Sequence, residues 1–504
     1  MTVKYIILFL YLGVLFFIGV FASRRIKNIS DYYVAGKKLN FWIVAFSSRA
    51  TGESAWLLLG LTGMGAISGV STYWVVVGEV LGVAIAWIYM AKKFKRRTDA
   101  YNSITIPDYL ESHFKSTTFL LRKIAAIALS IFVVIYVSAQ IDATGSAFEA
   151  FLGWNYYTGA IVGFLIVLAY IFLGGFIAVA WSDVFQGILM FFGLVLIPIT
   201  AFFAIPNITE IASGLRAIDP ELLNVWGPGG FNLMNLMTIL GFAMIGLGFL
   251  GSPQVFVRFM SINNESEINR GKWVALVYTL LTDAAAVTVG IIGRYLFTEA
   301  GTDPEAIMGN AGQNVLSMVV EHFFPLVIVG LYIAIVLSAI MSTVDSLLVV
   351  GSSSLSRDLY QKIYNPNISQ QKITRYSRLI TLIMAIGALT VALLVAVSTP
   401  GRTIFWFVIF GWSGIAATFC PVIILSLFWD GYTERGAIAS MISGFLAVPF
   451  FKFVVPQIET IGPYIEKLDV MGPSFAVAFI FGFLASKLFP KGSIRGKPAS
   501  EVIV

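Results

Sequence analysis

Apolar residues run along this 504-residue chain in blocks of about twenty, parted by short polar connections. About 20 such residues wound as a helix cross the ~30 Å hydrocarbon core of a bilayer. On that ruler the pattern predicts thirteen helical spans, at residues 4–23, 41–68, 72–91, 122–151, 156–180, 183–204, 232–257, 273–297, 320–350, 376–398, 403–428, 436–455 and 472–489. Two of them are interrupted. Residues 46–56, Phe-Ser-Ser-Arg-Ala-Thr-Gly-Glu-Ser-Ala-Trp, set Arg49 and Glu53 near the middle of the second span, beside Gly52 and several hydroxyls. Each charge there costs roughly 2.5–3.5 kcal/mol on insertion scales. One reading is a helix that comes apart at mid-membrane, where loose backbone is tolerated only against protein or a water-filled cavity. The other is a kinked helix whose polar residues satisfy one another. Residues 241–254, with Gly246, Gly248, Gly251 and Pro253, interrupt the seventh span similarly.

The two interruptions open two sets of spans, two to six and seven to eleven. Each set holds an odd number, so the second starts from the opposite side and the halves are inverted. Paired glycine- or proline-broken spans in two such halves point to a binding site near the midplane. The expected organisation is one all-α integral membrane domain over 1–504: an extra helix and loop (1–40), a first repeat (41–204), an inverted second repeat (232–428) and C-terminal helices (436–489).

Composition agrees, with 58% hydrophobic and 12% charged residues against about a quarter charged in soluble proteins. The net charge of +6 raises nucleic acid as a partner, but its placement removes that reading. Of the Lys and Arg residues, 26 fall in one set of alternate loops and 6 in the other, with Arg49 left inside a span. The excess marks the cytoplasmic side, placing the N-terminus outside and the C-terminus inside a cell (inner) membrane. The single Cys420 and the isolated His113 and His322 offer neither disulfides nor a zinc cluster. Segments 28–39 and 101–114 read as short surface helices or loops. No phosphate-binding loop is present, so ATP has no place to act. No cofactor, catalytic set or obligatory protein partner is expected.

Ala339, Ser342 and Thr343 stand at i, i+3 and i+4 of the ninth span, on one helical face, and Ser338 and Ser346 extend the stripe. Two hydroxyls with carbonyls from the broken second span make a small all-oxygen cage, suited to a hard monovalent cation such as sodium. Against this, membrane Ser and Thr often bond their own i−4 carbonyl; the adjacent Ser-Thr pair followed by Asp345 favours the cage. Asp183, at the start of the sixth span, has two readings, a relay for a departing cation and a helix cap. Tyr136 and Gln140 share a face of the fourth span, with Asp142 pointing elsewhere. Arg49 is the expected partner of Asp142 or of Glu53, and a purely structural ion pair remains open.

The residues Asp31-Tyr-Tyr-Val-Ala-Gly-Lys-Lys-Leu, Ser54-Ala-Trp-Leu-Leu-Leu-Gly-Leu, Leu173-Gly-Gly-Phe-Ile-Ala-Val-Ala-Trp-Ser-Asp183, Pro253 with Arg258-Phe-Met, and Met341-Ser-Thr-Val-Asp-Ser resemble the sodium:solute symporter family, and within it the sodium/proline symporters. The resemblance implies a five-plus-five inverted-repeat fold and alternating access driven by Na+. Carried over by position, it implies a sodium site of the Ala50, Glu53 and Ala339 carbonyls with the Ser342 and Thr343 hydroxyls. It also implies a second cation position or relay at Asp183, with Asp345 and Ser346 beside it. Ser54, Ala55, Trp56, Tyr136, Phe249 and Pro253 match solute-contacting positions, and Gln140 joins them from its place beside Tyr136. Departures are present. Proline transporters carry an aspartate where this chain has Gly52, with Glu53 next to it. They carry a tryptophan and a tyrosine where it has Ile245 and Phe249, and small or apolar residues at Gln140 and Asp142.

The expected partners are therefore Na+, a small organic solute and the bilayer, with proline or a related amino acid as the first candidate. A symporter for an organic acid, a pantothenate-like acid or a sugar is the alternative. A membrane sensor needs a signalling domain, and none is expected in the short stretch after the last span. A channel needs repeated pore segments or charged rings, which are not seen.

Overall fold

The computed structural model describes residues 2–26, 28–116, 118–171, 175–205 and 208–490. Lys27, Leu173, Gly174, Lys491, Arg495 and Lys497 lie outside the described residues. Within them every regular element is helical, and one isolated bridge joins Leu39 to Ile262.

Eleven of the described helices are long and apolar enough to cross a membrane. The difference from thirteen arises at two places. The run Phe41–Ala100 is continuous over 60 residues but turns at Gly69, whose φ of 62° opens a short 3-10 turn before the helix Tyr73–Ile85. A Cβ on Gly69 would lie 2.1 Å from the Leu222 carbonyl oxygen, so no side chain fits there. Tyr156–Ile171 is only 16 residues long. The fifth and sixth spans also divide earlier than expected, because the next helix, Gly175–Ala204, already begins at Gly175.

Both interruptions are real breaks. Phe41–Ala55 starts on the Asn40 side chain, which accepts the Ile43 N–H at 3.0 Å, and loses helical geometry at Ser54 (φ 55°, ψ −169°). Positive φ is costly for a residue with a side chain, and the freed amides need partners. Gln140 Oε1 takes the Ala55 N–H at 3.0 Å, and Ser54 Oγ takes the Trp56 N–H at 3.2 Å. A wide π-type turn, Trp56–Leu61, then restarts the helix. In the second broken helix, Leu233–Met244 passes into the 3-10 turn Ile245–Leu250 and then Gly251 (φ 156°), before Pro253–Ser261 resumes. Proline suits that restart because its missing N–H is one the first turn leaves unbonded anyway.

Glycines let the backbones touch. A Cβ on Gly78 would meet the Ala243 oxygen at 2.1 Å, and Cβ atoms on Gly82 and Gly246 would meet each other's segments as closely. Gly290 lies as tightly against Thr62, in the half of the first broken helix that follows Ser54. These contacts join both broken helices, Tyr73–Ile85 and Glu265–Phe297 into one body. Small residues permit such approach in membranes, where no hydrophobic force draws helices together. Gly411 against Tyr136 and Gly193 against Ile335 tighten a second group, made of Leu120–Leu152, Gly175–Ala204, Leu326–Ser353 and Ile404–Phe428. The short helices Ile29–Val34 and Ile106–Phe114 are not surface pieces as expected. Tyr33 is buried with its hydroxyl 3.0 Å from Ser356 and 2.8 Å from Ser377, and Asp108 is buried among arginines.

Candidate cation and solute site

The hydroxyl stripe of Leu326–Ser353 faces the half of the first broken helix that precedes Ser54. Ser342 Oγ donates to the Ala50 carbonyl at 2.9 Å, and Thr343 Oγ1 donates to the Thr51 carbonyl at 3.0 Å. Both hydroxyls also lie near the Ala339 carbonyl, at 3.1 and 3.2 Å. All of these residues are buried. Oxygens of Ala50, Thr51, Ala339, Ser342 and Thr343 are thus brought together with no charged side chain among them. Glu53 is placed differently from the expectation. Its carbonyl accepts the Trp56 N–H across the break, and the carbonyl facing Thr343 is that of Thr51.

Asp183 is not a helix cap, since it lies well inside Gly175–Ala204 and is fully buried. Its Oδ2 accepts from Ser47 Oγ at 2.6 Å and from the Arg258 guanidinium at 2.8 Å. Arg258 also donates to Ser47 Oγ at 3.0 Å, to Thr51 Oγ1 at 2.6 Å and to Ser346, whose hydroxyl is 2.8 Å from Thr51. The cation that Asp183 and Ser346 hold here is therefore a guanidinium. Asp345 is fully buried on the same helix. Arg258 was counted as a cytoplasmic loop charge; it is instead buried in Pro253–Ser261. The apolar residues on both sides of it, Val257 and Phe259, were the available signal.

Arg49 pairs with Glu53 and lies 3.6 Å from Glu79, with its guanidinium 4.5 Å from the centre of the Phe249 ring. Asp283 completes the group, with carboxylate oxygens of Glu53, Glu79 and Asp283 all within 4.8 Å of one another, so three buried carboxylates cluster at one arginine. The Glu53 carboxyl is thus engaged with Arg49, and no described contact joins it to the hydroxyl pair. Glu79 and Asp283 were overlooked, although each is a lone carboxylate in an apolar run, the same sign that marked Arg49. Asp142 does not meet Arg49. It accepts from Arg402 Nε at 2.9 Å and from the Tyr156 hydroxyl at 2.5 Å.

Around the first break the expected solute residues converge. The Tyr136 hydroxyl bonds the Ser54 side chain, and Ala55 is tied to Gln140, whose Nε2 has no hydrogen-bond partner among the described residues. Trp56 Nε1 donates to Glu79 at 3.2 Å, and its ring lies 5.4 Å from Phe405. Phe249 packs against Trp412 at 5.2 Å, four residues before Pro253 restarts the second broken helix. A Cβ on Gly52 would approach Phe249 to 2.6 Å, so the bare backbone at 52 and the ring at 249 are one adaptation.

The profile of the sodium:solute symporter family matches residues 32–444. The high-affinity proline transporter PutP of Bacillus subtilis (strain 168) is 37% identical over 431 residues, covering 85% of this chain and 87% of that protein. The sodium/proline symporter of Escherichia coli (strain K12) is 31% identical over 497 residues, covering 98% and 93%. Among solved structures, a substrate-bound, outward-open Na+-coupled sialic acid symporter superposes with a TM-score of 0.75 at 20% identity, covering 97% of this chain and 98% of its own. A nucleobase-cation-symport-1 family transporter in a closed conformation superposes with a TM-score of 0.51 at 12% identity, covering 93% and 97%. The breaks, the oxygen cluster between the first of these helices and Leu326–Ser353, and the match over most of the length agree: this chain belongs to the sodium:solute symporter family.

Proposed function

We propose that this protein is a multi-pass symporter of the cell (inner) membrane that uses the sodium gradient to import proline or a closely related amino acid. The observation that carries the reading is the Ser342–Thr343 pair resting on carbonyls of the helix that breaks at Ser54. The substrate assignment draws on the relatives named for proline. The N-terminus lies outside and the C-terminus in the cytoplasm, and residues 41–204 and 232–428 form the inverted repeats.

A sodium ion entering the cluster takes lone pairs from the Ala50, Thr51 and Ala339 carbonyls and from the two hydroxyls, whose hydrogens rotate away. It ties the inner half of the broken helix to Leu326–Ser353. That ordering fixes Ser54, Ala55 and Trp56 beside Tyr136, Gln140 and Phe249, where the solute sits, so each ligand raises the other's affinity by the same factor. The unpartnered Gln140 Nε2 supplies a donor for the solute's carboxylate. Asp183, with Asp345 and Ser346 near it, accepts the departing cation once Arg258 swings away. Inward potential contributes ~2.3 kcal/mol per charge per 100 mV, enough to concentrate a small solute.

A second reading keeps sodium symport and changes the solute to an organic acid, a pantothenate-like acid or a sugar. Phe249 favours it, since this ring lacks the phenolic hydroxyl of the proline transporters. Proteoliposomes under an inward sodium gradient decide. Labelled proline should accumulate, and collapse of the gradient or its replacement by potassium should abolish this. Accumulation of another solute in its place supports the second reading, and no sodium-dependent accumulation of any of these solutes rejects both.

A further inference from the structure

Asp142 and Arg402 lie apart from the cation cluster and from the solute contacts, and neither has a role in the transport scheme above. Asp142 belongs to Leu120–Leu152, the helix that also carries Tyr136 and Gln140. Arg402 lies in the short connection between Gln370–Ser398 and Ile404–Phe428. Besides the Asp142 carboxylate, its guanidinium meets the Tyr156 ring at 5.1 Å. The same connection is tied from the other side, because Asn310 Nδ2 donates to the Gly401 carbonyl at 2.9 Å and to the Arg402 carbonyl at 3.0 Å. The turn holding Asn310 continues into Ala311 and Gly312, which press on Gly63 in the outer half of the first broken helix; a Cβ there would meet the Ala311 oxygen at 2.4 Å. Three residues beyond Arg402, the Phe405 ring lies on Trp56.

These contacts form a continuous strap. It begins at Asp142 in the second body, crosses through Arg402 and Asn310, and ends on the outer half of the broken helix in the first body, with Phe405 above the solute residues. We propose that the Asp142–Arg402 ion pair is the latch of an outer gate, positioning the strap over the solute pocket when the protein is closed to the outside. It rests on the orientation proposed above. The pair suits this work because both groups are nearly withdrawn from water, with side-chain exposures of 3% and 10%. In such surroundings two charges hold firmly together, and either one alone is costly.

The test uses the full chain with Phe405→Cys as a reporter. Cys420 is fully buried, so a membrane-impermeant maleimide reads the reporter against little background. In right-side-out vesicles, Arg402→Gln should raise the labelling rate about tenfold, a shift of about 1.4 kcal/mol toward the open form. In the same variant without the reporter, kcat for uptake should fall about tenfold while KM measured from outside stays level or drops, since the outward-open form becomes more populated. The neutral pair Asp142→Asn with Arg402→Gln leaves no lone buried charge and controls for folding; it should label as fast as Arg402→Gln alone. Wild-type labelling in the neutral pair, or a raised KM with unchanged kcat in Arg402→Gln, overturns the latch. Faster labelling confined to inverted vesicles overturns its outer placement together with the orientation. Because labelling requires no solute, a wrong substrate assignment leaves this result intact and is recognised separately.

Discussion

Replacing Thr343 by valine keeps its branched shape and removes one oxygen from the cluster. In the present structure that hydroxyl donates to the Thr51 carbonyl at 3.0 Å and lies 3.2 Å from the Ala339 carbonyl. The loss of neutral hydrogen bonds alone is worth about 0.5–1.5 kcal/mol of stability. If the same oxygen also binds Na+, the cation-bound state loses a charge-assisted contact worth about 1.5–3 kcal/mol. That corresponds to a sodium concentration for half-maximal uptake raised by about 10- to 150-fold. Uptake of labelled proline is measured in vesicles over a range of sodium concentrations at fixed membrane potential, for the wild type, Thr343→Val and Thr343→Ser. The serine variant retains the hydroxyl and should stay within a few-fold of wild type, and the valine variant at saturating sodium should recover most of its rate. Unchanged sodium dependence in Thr343→Val, with normal amounts of protein in the membrane, refutes the cage.

Further outcomes follow from other contacts. Gly52→Ala places a methyl 2.6 Å from the Phe249 ring and should raise the KM for proline about tenfold, a loss typical of an overpacked site; combination with Phe249→Leu should restore much of it. Asp183→Asn leaves Arg258 buried without its counter-charge and should cost about 3–5 kcal/mol, visible as a lower unfolding temperature in detergent, whereas Asp183→Asn with Arg258→Gln should be milder than either single change. In the short helix Ile106–Phe114, burial by itself would raise the Asp108 carboxyl, but the Arg357 and Arg122 guanidiniums outweigh it and hold it below the ordinary aspartate range. A lowered pKa in the folded state gives stability that is complete above the unfolded value of about 3.9 and is lost as pH falls through the folded one. Wild-type protein should therefore lose unfolding temperature below about pH 4, and Asp108→Asn, already less stable at neutral pH, should show a smaller acid-induced drop.

The two broken helices were legible because glycine, proline and charge have few other reasons to interrupt a span. The Ser342–Thr343 face was legible because a helix repeats every 3.6 residues. Which backbone oxygen meets which hydroxyl was not, since a slip of two residues along a broken helix exchanges Thr51 for Glu53 and no periodicity reports it. Arg258 was hidden by its closeness to a truly basic segment, where a count of charges cannot separate a loop residue from one turned into the bundle. Asp142 was visible as a misplaced charge, yet its partner Arg402 lies 260 positions along the chain, beyond the reach of any local pattern. The thirteen spans differ from the eleven helices that meet the length test because a tight turn at Gly69 and a short helix at Tyr156–Ile171 escape a ruler of fixed length.

The glycine seams carry a mechanical consequence. Where Gly78 and Gly246 meet, main chain bears directly on main chain with no compressible side chain between. Such a joint transmits tilt without slack, as meshed teeth do, and it cannot slide by a fraction of a turn. Any motion that exposes the pocket first to one face and then to the other must therefore carry the helices on both sides of this joint together. Under the proposed scheme, a cation held at Ser342 and Thr343 would therefore tilt four helices as a unit, rather than bend one of them.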